Sequence, residues 1–296
     1  MYQGRLRAIT IMIVAVAAFT FMDALLKFFA AYYPPFEVAA LRGATSLPFT
    51  VLPVLLAGRV RDLTPHRWPM HLLRGLLSVG VLGGFIYAVR ALSLANAYSL
   101  FLSAPLLVAA LSGPLLKERV GVRNWAAIFV GLLGVLTMLH PGSTGLASLG
   151  AVAAVFGALC YAFSSIAVRV LTRTDTTVSV VFWTITLMTL FTAAIAAPEW
   201  VAIDRSHWKW LVVLGLLAAI GQYLLTEAFR TAPPSTVAPF EYTALPWGVL
   251  IDRVIWDAQP SARVLVGGGI VIASGIYLMW HERGAAVSQS AQQPWQ

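Results

Sequence analysis

Charge is what this chain lacks. Asp, Glu, Lys and Arg make up 11% of its 296 residues, against roughly 25% in an average soluble domain. A soluble fold must wet its surface, so a soluble globular enzyme is excluded. Disorder needs low hydrophobicity, and 59% of this chain is hydrophobic. Cysteine is nearly absent as well. The single Cys160 lies inside an apolar run, forms no internal disulfide and belongs to no thiol–metal spacing. No glycine-rich phosphate loop or nucleophile elbow appears, so ATP hydrolysis and a resident cofactor are not expected. His66, His71, His140, His207 and His281 fall near the ends of apolar segments, and none has an acid at metal-ligand spacing. No metal is therefore expected, and an intramembrane enzyme would lack its Ser–His or acidic pair.

What the chain has is length of apolar run. A hydrocarbon core about 30 Å thick needs about 20 apolar residues per helix. Segments of that length fall at about 8–30, 36–57, 71–91, 96–116, 122–140, 146–169, 177–197, 208–229, 235–256 and 261–281. Period-2 alternation is absent, and lipid demands internally bonded backbone, so helices are expected rather than a barrel. The predicted class is an all-α polytopic membrane protein of ten helices. The first run follows Arg5 and Arg7 without a small-residue cleavage site and reads as an uncleaved first helix. The tail 284–296 is small and polar and is expected to be a disordered cytoplasmic segment.

The net charge of +8 would suggest nucleic acid in a soluble protein; here it reports orientation, and no nucleic-acid partner is expected. With the N-terminus inside, one face collects Arg5, Arg7, Arg59, Arg61, Arg67, Lys117, Arg119, Arg123, Arg173, Arg230 and Arg283, and the other only Arg205, Lys209 and Arg263. Positive residues gather on the cytoplasmic side, which predicts both termini in the cytoplasm. Trp68, Trp125, Trp200, Trp208, Trp256 and Trp280 stand near segment ends, as an aromatic belt requires.

An internal repeat organises the chain. Gly84-Phe-Ile-Tyr-Ala-Val-Arg-Ala91 aligns with Gly221-Gln-Tyr-Leu-Leu-Thr-Glu-Ala228, and each leads through a short turn into a proline-containing span. The division is 1–141 and 142–283. Five spans per half is odd, so the second copy enters the membrane inverted, a transporter architecture in which two halves rock about a central site.

The chain resembles the drug/metabolite transporter superfamily, EamA type, over nearly its whole length. The resemblance is carried by Asp23-Ala-Leu-Leu-Lys27, Pro34-Pro-Phe-Glu-Val-Ala-Ala-Leu-Arg42, Arg74-Gly75, Ala91-Leu-Ser-Leu-Ala-Asn-Ala97, Leu115-Leu-Lys-Glu118 and Ala238-Pro-Phe-Glu-Tyr242. It implies ten spans in two inverted halves and movement of small metabolites, often outward. Within the superfamily the chain looks most like bacterial amino-acid exporters, including the aromatic branch. One departure is that the acid closing the fourth span, Glu118, has only Asp257 after Trp256 as a counterpart.

Charge inside the membrane points to function, because each ionised group costs about 3 kcal/mol at a helix centre on insertion scales. Asp23 and Lys27 are four apart on one helix face and can pair, as a gate, as a coupling pair or simply in mutual neutralisation. Arg90 and Glu227 occupy aligned positions and, with inverted halves, lie at opposite faces; each serves a gate or a helix end. Arg74 reads as a headgroup anchor. The substrate-binding candidates are Tyr87, Tyr98, Ser99, Ser103, Tyr161, Ser164, Ser165, Gln222, Tyr223, Glu241 and Tyr242. They combine hydrogen-bonding groups with aromatic walls, as a small zwitterion needs; the competing role for Ser and Tyr is helix–helix glue and interfacial anchoring. Glu241, beside Pro239, is the sharpest candidate. Pro105 and Pro114 in one half and Pro239 and Pro246 in the other interrupt equivalent spans. Gly131-x-x-Gly134 and Gly267-Gly-Gly269 read as packing surfaces.

The expected function is secondary export of amino acids, aromatic and hydrophobic first, across the inner membrane by alternating access. The expected partners are a small-molecule substrate and the bilayer, with transport either facilitated or driven by an ion gradient and a monomer or weak dimer as the assembly. The alternatives are export of another metabolite or a cationic drug and, remotely, an intramembrane enzyme.

Overall fold

The computed structural model describes residues 2–104, 106–107, 110–111, 122–138, 146–171, 174–231 and 238–291. Within them the regular structure is helical, and no strand occurs among the described residues. The helices are α1 (Tyr2–Phe29), α2 (Pro35–Leu56), α3 (Trp68–Ala91), α4 (Leu94–Phe101), α5 (Val122–Met138), α6 (Leu146–Leu171), α7 (Thr177–Ala196), α8 (Trp208–Thr231), α9 (Ala244–Trp256) and α10 (Ala262–Ala291). Six of them (α1, α2, α3, α6, α7 and α8) are long and apolar enough to cross a membrane; α5 and α10 contain shorter apolar stretches. The helix α10 runs on through the polar residues up to Ala291.

Local chemistry sets the boundaries. Pro35 and Pro69 occupy the first turns of α2 and α3, where a missing N–H costs nothing. Thr176 caps α7 by accepting the Ser179 N–H at 3.1 Å. Pro48 and Pro53 lie inside α2. The fourth and ninth spans expected from sequence are both broken. After α4 ends at Phe101 the chain makes a turn at 102–103, and α9 is preceded by a 3-10 segment, Ala238–Thr243, that contains Pro239. Pro105, Pro114 and Glu118 lie outside the described residues. Asp257 ends α9 in the left-handed conformation (φ 48°) and its N–H bonds to Asp252 O. Short polar side chains such as Asp tolerate that region better than most, so Asp257 acts as a helix stop.

The helices pack in exchanged pairs. α3 lies along α6 and α1 along α8; α2 meets both α7 and α8, and α3 meets α7; α5 lies along α10, and α4 meets α9. When α1–α5 are mapped onto α6–α10, α3·α6 becomes α8·α1 and α2·α8 becomes α7·α3. Glycines bring backbones together at these crossings. A Cβ on Gly84 would stand 2.6 Å from Ala153 O and 3.1 Å from the Gly157 backbone. A Cβ on Gly134 would stand 2.8 Å from Ile270 of α10, so the α5 glycines pack within this chain.

Two clamps close the frame at opposite ends of α2. At its start, Glu37 accepts the Val201 N–H at 3.0 Å, and Tyr33 OH meets His207 Nδ1 at 2.7 Å, tying the start of α2 to the start of α8. Beyond its far end, Asp175 accepts the His66 N–H at 3.0 Å and meets His71 Nε2 at 2.6 Å; Trp183 Nε1 and Ser179 Oγ donate to Leu63 O. This ties the start of α7 to the start of α3. The sequence offers these histidines no acid at metal-ligand spacing; the acid they share is supplied by the fold. Asp175 is more than a hundred residues from both histidines, beyond the reach of a spacing argument. No group of metal-binding side chains forms among the described residues. Burial raises the Asp175 carboxyl pKa, but the His71 and His66 hydrogen bonds outweigh it and hold the group below its ordinary value.

Two stability predictions follow from this packing. Gly84→Val should destabilise the bundle by about 1–3 kcal/mol or more through overpacking. Gly269→Ala, with nothing within 4 Å of the added Cβ, should be neutral or slightly stabilising; thermal unfolding in detergent, followed by Trp fluorescence, separates the two. Asp175 has a depressed folded pKa, so its contribution is whole above the unfolded value of about 3.9 and fades as pH falls through the lower folded value. Asp175→Asn should cost about 3 kcal/mol at neutral pH and flatten the acid limb of the stability profile below about pH 4.

Candidate functional site

A cavity of about 310 Å³ lies between the two sets of helices. That is at the lower end of the range for small-molecule sites. α1 contributes Thr20 and Asp23, α2 Arg42 and Ser46, α3 Arg74, Ser78 and Phe85, and α4 Tyr98. Phe101, Tyr161, Ser164, Thr184, Gln222 and Glu241 add to the polar and aromatic lining.

Four ionisable groups face this space, and their parent helices separate them by sign. Arg42 and Arg74 come from α2 and α3. Asp23 comes from α1, and Glu241 from the 3-10 segment before α9. Tyr98 OH donates to Asp23 Oδ2 at 2.7 Å, and its ring packs on Phe85 with centroids 5.7 Å apart. Arg42 is an electrostatic neighbour of Asp23, and its Nε points at Met22 Sδ, 3.2 Å away. Arg74 Nη1 donates to Val180 O at 3.0 Å and to Thr184 Oγ1, while its buried Nε finds no partner among the described residues. Tyr161 is hydrogen-bonded to Ser165 and lies within electrostatic reach of both Glu241 and Arg74. A carboxylate–tyrosine pairing thus occurs twice with the helices exchanged. Asp23 on α1 meets Tyr98 on α4; Glu241, ahead of α9, faces Tyr161 on α6.

Of the residues expected from sequence, Asp23, Tyr98, Tyr161, Ser164, Gln222 and Glu241 line the cavity. Ser165 supports Tyr161 from behind. Ser99 and Ser103 are buried and spend their hydroxyls on Ala95 O and Leu100 O, within their own chain segment. Tyr242 is buried off the lining, and its hydroxyl has no partner among the described residues. Tyr87, 46% exposed, packs edge-on against Phe36. Tyr223, 70% exposed, points outward. Arg90 is exposed at the end of α3, and Glu227 is half-buried on α8; neither lines the cavity.

Two expectations are corrected. Lys27 does not pair with Asp23. It reaches Asp252 Oδ1 at 2.9 Å and lies 4.2 Å from the centroid of the Trp256 ring. Asp252 offers a nearly buried carboxylate on a neighbouring helix, whereas Asp23 is already held by Tyr98. Arg74 is not a headgroup anchor, because α7 supplies Val180 O and Thr184 Oγ1 to hold its guanidinium against the cavity. Arg42, Ser46, Ser78 and Thr184 were missed as lining residues. For the arginines the signal was available: a guanidinium two turns inside an apolar run needs partners there.

The comparisons agree with this architecture. A solved crystal structure covers 92% of this chain and 97% of its own with a TM-score of 0.64 at 21% identity, a likeness of fold alone. The riboflavin transporter of Vibrio cholerae is 28% identical over 83% of this chain and 83% of its own length. The pseudopaline exporter of Pseudomonas aeruginosa is 27% identical over 93% and 97%. The profile of the EamA-like transporter family matches twice, at residues 6–140 and 148–280, and with nearly all of its length so matched the chain belongs to that family.

Proposed function

We propose that the protein is a secondary transporter of small zwitterions, with aromatic and apolar amino acids as its first cargo class, exporting them across a bacterial inner membrane by alternating access. The observation that carries this reading is the cavity's sorted charge. Arg42 and Arg74, from α2 and α3, can take a carboxylate; Asp23 and Glu241, from α1 and the segment before α9, can take an ammonium; and Phe85, Phe101, Tyr98 and Tyr161 line the same space. Buried charges of both signs suit a ligand that brings both signs. The double family match and the exchanged helix pairs support two repeats of five helices. The cation bias supports cytoplasmic termini.

The alternative cargo, an amine without a carboxylate, is favoured by Asp23 and Glu241 but leaves the two arginines unexplained. Reconstitution tests both. Proteoliposomes should accumulate labelled phenylalanine by counterflow. Arg74→Gln should reduce phenylalanine flux by roughly 10- to 150-fold, the loss of one charged hydrogen bond of about 1.5–3 kcal/mol, and spare phenethylamine flux if any is present. Glu241→Gln should reduce both. Phenethylamine flux without phenylalanine flux would replace the zwitterion reading with the amine one.

A further inference from the structure

The cavity and the buried ion pair beyond it are built as two layers, one helical turn apart on three helices at once. In the cavity layer, Asp23 of α1 accepts from Tyr98 of α4. The Tyr98 ring fits against Gly248 of α9, where an added Cβ would stand 2.6 Å from Cδ2. In the next layer, Lys27 of α1 pairs with Asp252 of α9 at 2.9 Å, and the second oxygen of Asp252 accepts the Ala95 N–H of α4 at 2.8 Å. The steps are 23 to 27, 248 to 252 and 98 to 95, each the i to i+3 or i+4 spacing that keeps side chains on one helix face. All three steps run toward the same end of the bundle.

The Asp252 layer has the properties of a closure. Its side chain is 1% exposed and that of Lys27 14%. It also satisfies one of the orphan N–H groups at the start of α4, a place that favours a negative charge. The tie therefore joins α1, α4 and α9, which come from both halves of the chain. The α4 and α9 partners are the two broken helices, short enough to shift without moving the frame held by the clamps.

We propose that the Tyr98–Asp23 hydrogen bond is the cargo-sensing contact and that its loss releases the Lys27–Asp252–Ala95 latch. This rests on the zwitterion reading above. A cargo ammonium that takes Asp23 displaces the Tyr98 hydroxyl. The ring then no longer holds α4 against α1 and Gly248, and the layer one turn away loses its register. Tyr98 is thus a positioning residue for the gate, and Asp23 is the residue that selects for a cation on the cargo.

Spin labels at Ala31→Cys and Gln259→Cys, both exposed at that end, report the opening in a Cys160→Ala background. Distances are read by pulsed electron resonance in lipid nanodiscs. Without cargo, Asp252→Asn, Tyr98→Phe and Asp23→Leu should each add a population longer by roughly 5 Å, the rise of one helical turn. Asp23→Asn keeps an acceptor oxygen for Tyr98 and should hold the short distance in the absence of cargo. Phenylalanine should add the longer population to the unsubstituted protein and none to Tyr98→Phe. If Tyr98→Phe and Asp23→Leu keep the short distance while Asp252→Asn opens, the layers are not wired. If Asp252→Asn also stays short, the ion pair is not a gate. Phenylalanine flux without a distance change overturns the cargo trigger. Absent flux with the variant pattern intact overturns only the zwitterion reading, so the two fail separately.

Discussion

An ionised side chain in hydrocarbon has no water to solvate it and must find a countercharge, a hydrogen-bond donor or acceptor, or a polar cavity. Most of what organises this bundle follows from that requirement. Lys27 and Asp252 answer it with each other, helped by the Trp256 ring and the Ala95 N–H. Arg74 answers it with a backbone carbonyl and a threonine of α7. Asp23, Arg42 and Glu241 answer it by facing a shared cavity. A wholly apolar interior would pack at least as well, so charges kept at this expense point to work done inside the membrane.

The second constraint is close approach. Hydrophobic burial does not drive helix association in lipid, so small residues and tight backbone contact must do so. Gly84 against Ala153 and Gly157, and Gly215 against Thr45, are contacts of this kind. They hold α3 to α6 and α8 to α2 with no room for a methyl group. The terminal clamps then fix α2 to α8 at one end and α7 to α3 at the other. Outside this frame, beside the α5–α10 pair, lie the two broken helices, α4 and α9, and they are the ones that carry Tyr98, Gly248 and Asp252.

The sequence was legible where the physics is local. Run length and charge scarcity disclosed the helices, and proline pairs fall in the two spans that break, although Pro48 and Pro53 leave α2 whole. Polar residues inside the apolar runs, such as Tyr98, Tyr161, Gln222 and Glu241, disclosed part of the cavity. Legibility failed where a residue's partner is chosen by the fold. Lys27 had an acid one turn away in Asp23, yet it bonds to Asp252, 225 residues on. His66 and His71 had no acid nearby in sequence and share Asp175. Tyr87 and Tyr223 matched the pattern of lining residues as well as Tyr98 did, but the aligned ends of α3 and α8 turn those rings outward. Helix rotation decides that, and a nearly uniform apolar surface leaves rotation unmarked in the sequence.

The distribution of polar ties between the two ends bears on how the cavity opens. Beyond Asp23 stand the Lys27–Asp252 ion pair and the Asp252 cap on the Ala95 N–H, so access past Lys27 requires those two bonds to break together, while the Tyr33–His207 and Glu37–Val201 contacts tie α2 to α8 beside them. At the other end the described clamp of Asp175, His66 and His71 joins α3 to α7, away from α4 and α9. Arg74 and Glu241, the charged lining residues that α3 and the segment before α9 contribute, are not bonded to each other by any contact among the described residues. The clamps can therefore persist while the broken helices move, because no clamp bond involves α4 or α9. A transporter built this way opens by parting its short helices from α1 at the Lys27 latch and keeps the long helices as the scaffold on which that motion is guided.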